Sequence, residues 1–387
     1  MSRTRLKIAF VHNSYIEYRT PFFDKISSHF NTSFFFERYD SSLVRDKPYF
    51  MFRFLRSLDI NRNYSFSPFL FFHLLNGKYQ VFAAGAIGEL NTYVTFFVSR
   101  LLRKPFIFWD ENWYWPRTKW RNIIWPFVLK ILKTAEAVIV PGSKSKEFYI
   151  SINPSIENKI FIAPNVSLLP QNAEIKLQAE ALKKTLSIEH KKVILYCGRL
   201  IRVKGFEYLL KAFSKLQEYN PNTILLVVGG VYGTGNRYGF EELENIYRIF
   251  GNDKVHFTGT IVNPEKAAYF TLADVVVIPS IFLNEEYEVW GFAVNEAMSA
   301  GKPVIATRAV GAAYDLIHNG KNGFIVPDKN PDVLCAAIRT ILGDSSTRQK
   351  MGTRSLCIIQ KSFKYENMSK GFEQAVNYIL NDSMKDE

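Results

Sequence analysis

Short runs of β-branched and aromatic residues alternate with helix-forming stretches along most of the chain, and this alternation restricts the fold more than any single motif does. Runs at 7–11, 33–36, 81–84, 106–109, 137–140 and 160–162 make one series; runs at 193–196, 224–228, 255–257, 275–278, 303–306 and 323–326 make a second. Strands separated by helices pair in parallel, because a parallel neighbour is reached only by a crossover. The expected fold class is α/β, with two Rossmann-like parallel-sheet domains at residues 1–165 and 191–364. A linker and entry helix are expected over 166–190, where a Pro-Asn turn gives way to a Glu-, Lys-, Gln- and Ala-rich stretch. A last helix, within 365–387, has either domain open to it as a packing partner.

Charge separates the two halves. Residues 1–165 hold 23 of the 49 Lys and Arg but only 12 of the 36 Asp and Glu, so +11 of the net +13 lies there, with 22 of the 33 Phe and five of the six Trp. Between positions 45 and 78, Arg and Lys are interleaved with Tyr49, Phe50, Phe52, Phe54, Phe66, Phe69, Phe71 and Phe72. Core packing uses many of these rings. Exposed ones beside basic groups suit anionic headgroups and a lipid-linked acceptor, so an anionic membrane surface is an expected partner. Nucleic acid is not, because no recognition motif accompanies the charge.

The longest uncharged stretch of the first half, 63–77, carries Asn, Ser, Pro and His and is shorter than the ~18 to 20 apolar residues of a spanning helix. The basic start ends its apolar run at His12-Asn13, too early for a secretory core. Cys197, Cys335 and Cys357 sit in apolar contexts without metal-ligand spacing, as free thiols do in a reducing compartment. The expectation is a cytoplasmic protein, peripheral on the inner face of the membrane where it docks.

The most informative stretch is PSIFLNEEYEVWGFAVNEAMSAG at 279–301: a buried strand end, an acidic loop, a Gly291 break, then a helix closed by Gly301. Open α/β sheets bind ligands at such carboxyl ends of strands. The free N–H groups at Gly291, Phe292 and Ala293 would meet a phosphate or sugar oxygen. Glu288, in the loop, and Glu296, a turn inside the helix, would repel phosphate and so would accept hydrogen bonds from ligand hydroxyls. A second piece, YCGRLIRVKGF at 196–206, brings Arg199 and Lys204 to the same sheet edge, where cations neutralise a diphosphate. No Asp-x-Asp pair occurs and the six His are scattered, so neither a metal nor a cofactor is expected.

An isolated acidic pair is ordinarily solvated surface charge. Here GRLIRVKG, followed about ninety residues later by Glu288-x7-Glu296 inside EVWGFAVNEAMSAGKPVIATRAVGAAYDLIHNGKNGFIVP, resembles the retaining glycosyltransferases of family 4, which have the GT-B fold of two domains facing a central cleft. The match is close over roughly 190–345 and rests on layout and the PFFDKI and PGSKSKEFY stretches in the first domain. The resemblance implies that Arg199 and Lys204 hold the donor diphosphate and that the Gly291, Phe292 and Ala293 amides meet phosphate or sugar oxygens. It further implies that Glu296 binds ribose hydroxyls and Glu288 those of the donor sugar. The reaction it implies is metal-independent transfer from a nucleotide-sugar to a hydroxyl, with the leaving phosphate as base and the anomeric configuration retained.

The first domain departs from the family's commonest form. HNSYIEYRTPFF replaces a Gly-Gly loop after the first strand, with Arg19 as its candidate contact, and the strand at 106–109 runs into Asp110-Glu111-Asn112-Trp113 where many members carry a His. Glu288 and Glu111 are the expected catalytic groups, with Arg19, Asp110 and Trp113 expected beside Glu111 on this acceptor side; for Glu111 and Asp110 a structural role stands as the alternative. The expected acceptor is lipid-linked or a growing glycan of cell-surface polysaccharide or glycoconjugate synthesis. Competing classes are a non-enzymatic basic scaffold with a degenerate transferase fold, and a GT-B epimerase or phosphorylase. The glycine run through Gly229, Gly230, Gly233 and Gly235 lacks the dinucleotide fingerprint, and Cys197 reads as a small buried side chain.

Overall fold

The structure, a computed structural model, describes residues 5–39, 50–59, 65–115, 118–231, 254–284 and 286–383, with positions 242, 245, 248 and 249 besides. Arg45, Tyr49, Gly233 and Gly235 of the stretches above lie outside the described residues. The chain divides into two compact units, Met1–Val166 with Lys364–Glu387, and Ser167–Phe363.

The first unit is built on β1 (Lys7–Tyr15), β2 (Asn31–Tyr39), β3 (Phe52–Phe54), a small antiparallel pair β4 (Leu58–Asp59) and β5 (Ser65–Phe66), then β6 (Val81–Gly85), β7 (Phe106–Trp109), β8 (Ala137–Val140) and β9 (Ile160–Ile162). Seven of them form one parallel sheet in the order β3-β2-β1-β6-β7-β8-β9. Strands β6, β7 and β8 are buried at every position, as continuous apolar runs covered on both faces must be. Helices α1 (Thr20–His29), α2 (Leu70–Asn76), α3 (Leu90–Leu101), α4 (Lys119–Thr134) and α5 (Ser143–Ile152) make the crossovers. Side chains alternate between the sheet faces. Ala9, Phe82, Ala84, Phe108 and Val138 pack under α2, α3 and α4, through Leu70, Leu74, Val98, Val128 and Leu132. Phe10 and Trp109 point the other way, against Phe22 of α1 and Phe372 of the last helix, Tyr365–Ser383. That last helix belongs to the first unit, and Lys25–Glu366 and His29–Glu373 contacts add to its apolar seam with α1.

The second unit opens with α6 (Ala173–Thr185), capped by the Asn172 side chain accepting from Ile175 N at 2.9 Å. Residues 166–190 were expected to form a linker and entry helix; from Ser167 on they are built into the second unit, because Leu169, Ile175, Ala179 and Ile188 are buried in its core. Strands β10 (Lys192–Cys197), β11 (Thr223–Val228), β12 (Val255–Gly259), β13 (Val275–Ile278), β14 (Val304–Thr307) and β15 (Gly323–Val326) form a parallel sheet in the order β12-β11-β10-β13-β14-β15. Their crossovers include α7 (Phe206–Tyr219), α8 (Lys266–Leu272) and α9 (Phe292–Ser299). Cys335 is buried, but Cys357 is exposed, so the apolar setting expected for all three thiols fails there. Among the described residues no helix is long and apolar enough to cross a membrane.

Candidate active site

The chain leaves β10 toward β11 and β12 on one side, and β13 toward β14 and β15 on the other. At such a switch point the loops diverge and leave a crevice at the carboxyl ends of the two strands. Lys204 ends a short 3-10 turn after β10, and Gly205 follows with φ 65°. A Cβ on Gly205 would lie 2.0 Å from the Pro279 carbonyl, so glycine lets the loop after β10 press on the strand end of β13. That approach brings Lys204 Nζ into an ion pair with Glu288 Oε2, while Ser280 Oγ reaches the same oxygen at 3.4 Å.

The loop holding Glu288 is fixed from behind. Its N–H donates to Ala309 O and its carbonyl accepts from Gly311 N, both at 3.1 Å. Gly291 starts α9 at φ 97°, where a Cβ would meet Val310 Cγ1 at 2.7 Å. Trp290 Nε1 donates to Asn295 Oδ1 at 2.9 Å, tying loop to helix. The Phe292 and Ala293 amides stand in the first turn of α9, where backbone donors lack intrahelical acceptors and the helix end is electropositive.

Glu296 turns inward on α9 and is buried; Lys266 Nζ reaches its Oε1 at 2.7 Å and Ser167 Oγ donates to the same oxygen at 2.9 Å. Arg199 is half-buried, its carbonyl accepts from Tyr196 Oη at 2.8 Å, and its guanidinium has no ion pair among the described residues. Arg199 adds a further cation to the segment that follows β10, as suits a phosphate-bearing ligand. Burial, then the Glu296 carboxylate, pushes the Cys197 thiol up to about 12, so it stays protonated and no nucleophile arises there. Among the described residues no three His, Cys, Asp or Glu side chains group to hold a metal ion.

In the first unit, Arg19 and Glu111 meet although 92 residues separate them. Arg19 follows β1 and Glu111 follows β7; the guanidinium is buried, pairs with Glu111 through Nη2, and also reaches His12 Nε2 at 2.5 Å and Asn165 Oδ1 at 3.4 Å. Burial opposes the charge on Arg19, but Glu111 more than restores it and the guanidinium pKa is raised. Burial first and then Arg19 lower His12 to about 3, so its imidazole is neutral. Trp113 lies half-buried in the following loop.

Asp110 is placed inside the fold rather than as an acceptor-side contact. Its carboxylate accepts from Ile87 N at 2.8 Å, Asn112 N at 2.9 Å, Asn112 Nδ2 at 2.8 Å and the Tyr149 hydroxyl, and it is buried. Three of these donors converge on Oδ2 and Ile87 N takes Oδ1, so both carboxylate oxygens are engaged within the fold. Burial raises its pKa against the pull of these bonds.

Sequence reasoning missed Lys266, Ser167, Ser280, His12 and Asn165. Only Lys266 leaves a trace: a Lys at the first position of a helix stands where the macrodipole disfavours a cation, which points to a carboxylate nearby in space.

Residues 178–355 match the profile of the family described as glycosyl transferases group 1. An uncharacterized glycosyltransferase of Methanocaldococcus jannaschii is 29% identical over 248 residues, 62% of this chain and 60% of that protein. The D-inositol 3-phosphate glycosyltransferase of Corynebacterium efficiens is 32% identical over 166 residues, 42% of this chain and 37% of that protein. The chain spans about three fifths or less of the length of these curated relatives. Anabaena HepE, solved in complex with UDP, superposes with a TM-score of 0.78 at 17% identity, covering 96% of this chain and 100% of that one. The chain therefore has the GT-B fold, and its residues 178–355 carry the match to the glycosyl transferases group 1 family.

Proposed function

We propose that the protein is a retaining, metal-independent glycosyltransferase that moves a sugar from a nucleotide-sugar donor to a hydroxyl of a glycan or lipid-linked acceptor. The observation that carries this reading is the meeting of Lys204–Glu288 and Lys266–Glu296 at the switch point of the second sheet, with Arg199 on the segment that follows β10. Arg199 and Lys204 neutralise the donor diphosphate, and the Gly291, Phe292 and Ala293 amides take its remaining oxygens. Glu296, held by Lys266 and Ser167, accepts from ribose hydroxyls; Glu288 accepts from those of the sugar. Charge builds on the departing phosphate as the anomeric carbon–oxygen bond breaks, and fixed cations favour that state over the ground state. The acceptor oxygen bonds to the anomeric carbon on the face the phosphate leaves, and its proton passes to a phosphate oxygen, so configuration is kept. No metal or cofactor enters this scheme.

On the acceptor side, Glu111 accepts from the incoming hydroxyl while Arg19 holds it in place, and Trp113 offers an apolar face to a ring. The protein works on the cytoplasmic side, peripheral to an anionic membrane, in cell-surface polysaccharide or glycoconjugate synthesis. The names of relatives and fold neighbours, which include glycosyltransferases and a UDP complex, support a nucleotide-sugar donor.

The test is a thermal-shift panel of UDP, GDP, ADP and their sugars on the full chain, followed by transfer from the stabilising donor. A donor at a hundred times its dissociation constant stabilises by about 2.7 kcal/mol, a shift of several degrees. Absence of a shift with every nucleotide, in a folded protein, overturns the reading. Glu111→Gln is expected to leave nucleotide affinity within about twofold, or ~0.4 kcal/mol, while cutting transfer at least about tenfold. Normal transfer in that variant returns Glu111 to a structural role.

A further inference from the structure

Helices α2, α3 and α4 share one face of the sheet with α5, which carries Glu147. The first three have the sequences LFFHLLN, LNTYVTFFVSRL and KWRNIIWPFVLKILKT, without a single Asp or Glu, and Glu136, just after α4, is paired with Arg100 of α3. The opposite layer also contains acids, with Asp24 on α1 and Glu366 and Glu373 on the last helix. On α2, α3 and α4, Phe72, Phe97, Leu101, Ile123 and Phe127, with Phe69 just before α2, each expose 57 to 62% of their surface. Inward residues do not explain them, because Leu70, Leu74, Val98, Val128 and Leu132 already fill the seam with the sheet.

Exposed Arg103, Lys104, Lys119, Lys130 and Lys133 stand among these apolar groups. On α4, Lys119, Ile123, Phe127 and Lys130 follow one another at helical spacing, so a single outward stripe is both apolar and cationic. Arg121 lies over the Trp115 ring at 5.2 Å, and Trp115 packs on Trp125 with centroids 4.7 Å apart, adding amphipathic rings of the kind found at headgroup depth. Single exposed apolar residues are ordinary. Five large ones on three consecutive helices and a sixth at the start of α2, with cations and no acid on those helices, are a patch.

We propose that the outward face of α2, α3 and α4 docks on an anionic lipid bilayer, with the apolar side chains inserted at headgroup depth and the Lys and Arg side chains against lipid phosphates. The inference rests on the proposed function only in locating the membrane surface named there, and it assigns that surface to residues. A second copy of the chain fits less well, because the same cations would face one another. A polynucleotide would satisfy the cations but leave the aliphatic Leu101 and Ile123 without a partner.

The test is co-sedimentation of the full chain, without nucleotide, with phosphatidylglycerol–phosphatidylcholine vesicles and with phosphatidylcholine alone, at low and physiological salt. Binding to the anionic vesicles only, weakened by salt, is expected. Ile123→Glu with Phe127→Glu, and separately Phe97→Glu with Leu101→Glu, should each cut the bound fraction at least about fivefold. Lys119→Gln with Lys130→Gln and Lys133→Gln, which keeps the apolar groups, should do the same for anionic vesicles. Leu177→Glu, at a position of similar exposure on α6, should bind as the wild type does. Indifference of the wild type to anionic lipid, equal binding in the α3 and α4 variants, or an equal loss in Leu177→Glu overturns the proposal. So does a short RNA that binds the wild type and is lost in these variants while vesicle binding persists. Nucleotide binding, measured on the same samples, separates the two readings: if it is normal while lipid binding is absent, the docking face alone fails, and if lipid binding is normal without nucleotide binding, the transferase assignment alone fails.

Discussion

Lys204 and Glu288 lie 84 residues apart in sequence and form an ion pair across the switch point of the second sheet. The lysine that would hold the diphosphate is thus neutralised by the carboxylate that would hold the sugar. Lys204→Ala should weaken a nucleoside diphosphate by about tenfold or more while leaving the nucleoside nearly unchanged, since one charged hydrogen bond contributes roughly 1.5 to 3 kcal/mol. Glu288→Gln, which removes a competitor for Lys204 as well as a sugar contact, should lower turnover more than donor affinity. Calorimetry with both ligands and single-turnover rates decide it; equal losses for nucleoside and diphosphate would place Lys204 elsewhere.

Lys266 gives a second, independent expectation. Glu296 is buried with Lys266 and Ser167 as its partners, so Lys266→Ala leaves a buried carboxylate short of its countercharge. Nucleotide affinity should fall about tenfold, as in Glu296→Gln, and the double variant should lose little more than either single one. Additive losses in the double-mutant cycle would show that the two act separately.

The buried His12 sets a pH dependence. Its pKa in the folded protein is about 3, against 6.5 for the exposed side chain, so between these values the unfolded chain binds a proton that the folded one does not. Stability should therefore fall as pH drops below 6.5, by up to about 1.4 kcal/mol per pH unit. From pH 7 to pH 5 the wild type should lose about 2 kcal/mol more than His12→Gln, which keeps an acceptor for Arg19 but does not titrate. Denaturant titrations at the two pH values measure the difference; parallel losses would mean that other groups carry the acid sensitivity.

Gly205 is the backbone hinge on which the Lys204–Glu288 contact depends. At φ 65°, with only 2.0 Å between the position a methyl group would take and the Pro279 carbonyl, Gly205→Ala should cost at least about 2 kcal/mol and weaken diphosphate binding with it. A thermal midpoint within a degree of wild type would refute the close approach.

How far the sequence revealed this molecule depended on whether a feature was local. Strands such as Phe106–Trp109 and Val275–Ile278 declare themselves by unbroken β-branched and aromatic runs, and the Gly291 break before α9 is written in the residues that make it. β3 was not legible, because Phe52-Arg53-Phe54 is three residues long and becomes a strand only by pairing with Phe34, Phe35 and Phe36. Arg19 and Glu111 could each be picked out as charges at strand ends, yet nothing local says that they bond to each other or that His12 and Asn165 complete the cluster. Asp110 and Glu111 are neighbours of the same charge, and only the fold separates the one bound by Tyr149 and Asn112 from the one facing Arg19. The carboxylates Glu288 and Glu296 were found through their loop-helix setting, whereas their lysine partners follow other strands, Lys204 in the turn after β10 and Lys266 at the start of α8.

The last helix, Tyr365–Ser383, packs with α1 of the first unit after the whole second unit has intervened. Phe372 fills the space between Phe10, Phe22 and Trp109, so the half of the protein synthesised first acquires its final wall last. On the ribosome, the second unit can finish folding while the first still exposes that aromatic seam, which makes the unfinished first unit the natural client of a chaperone during synthesis.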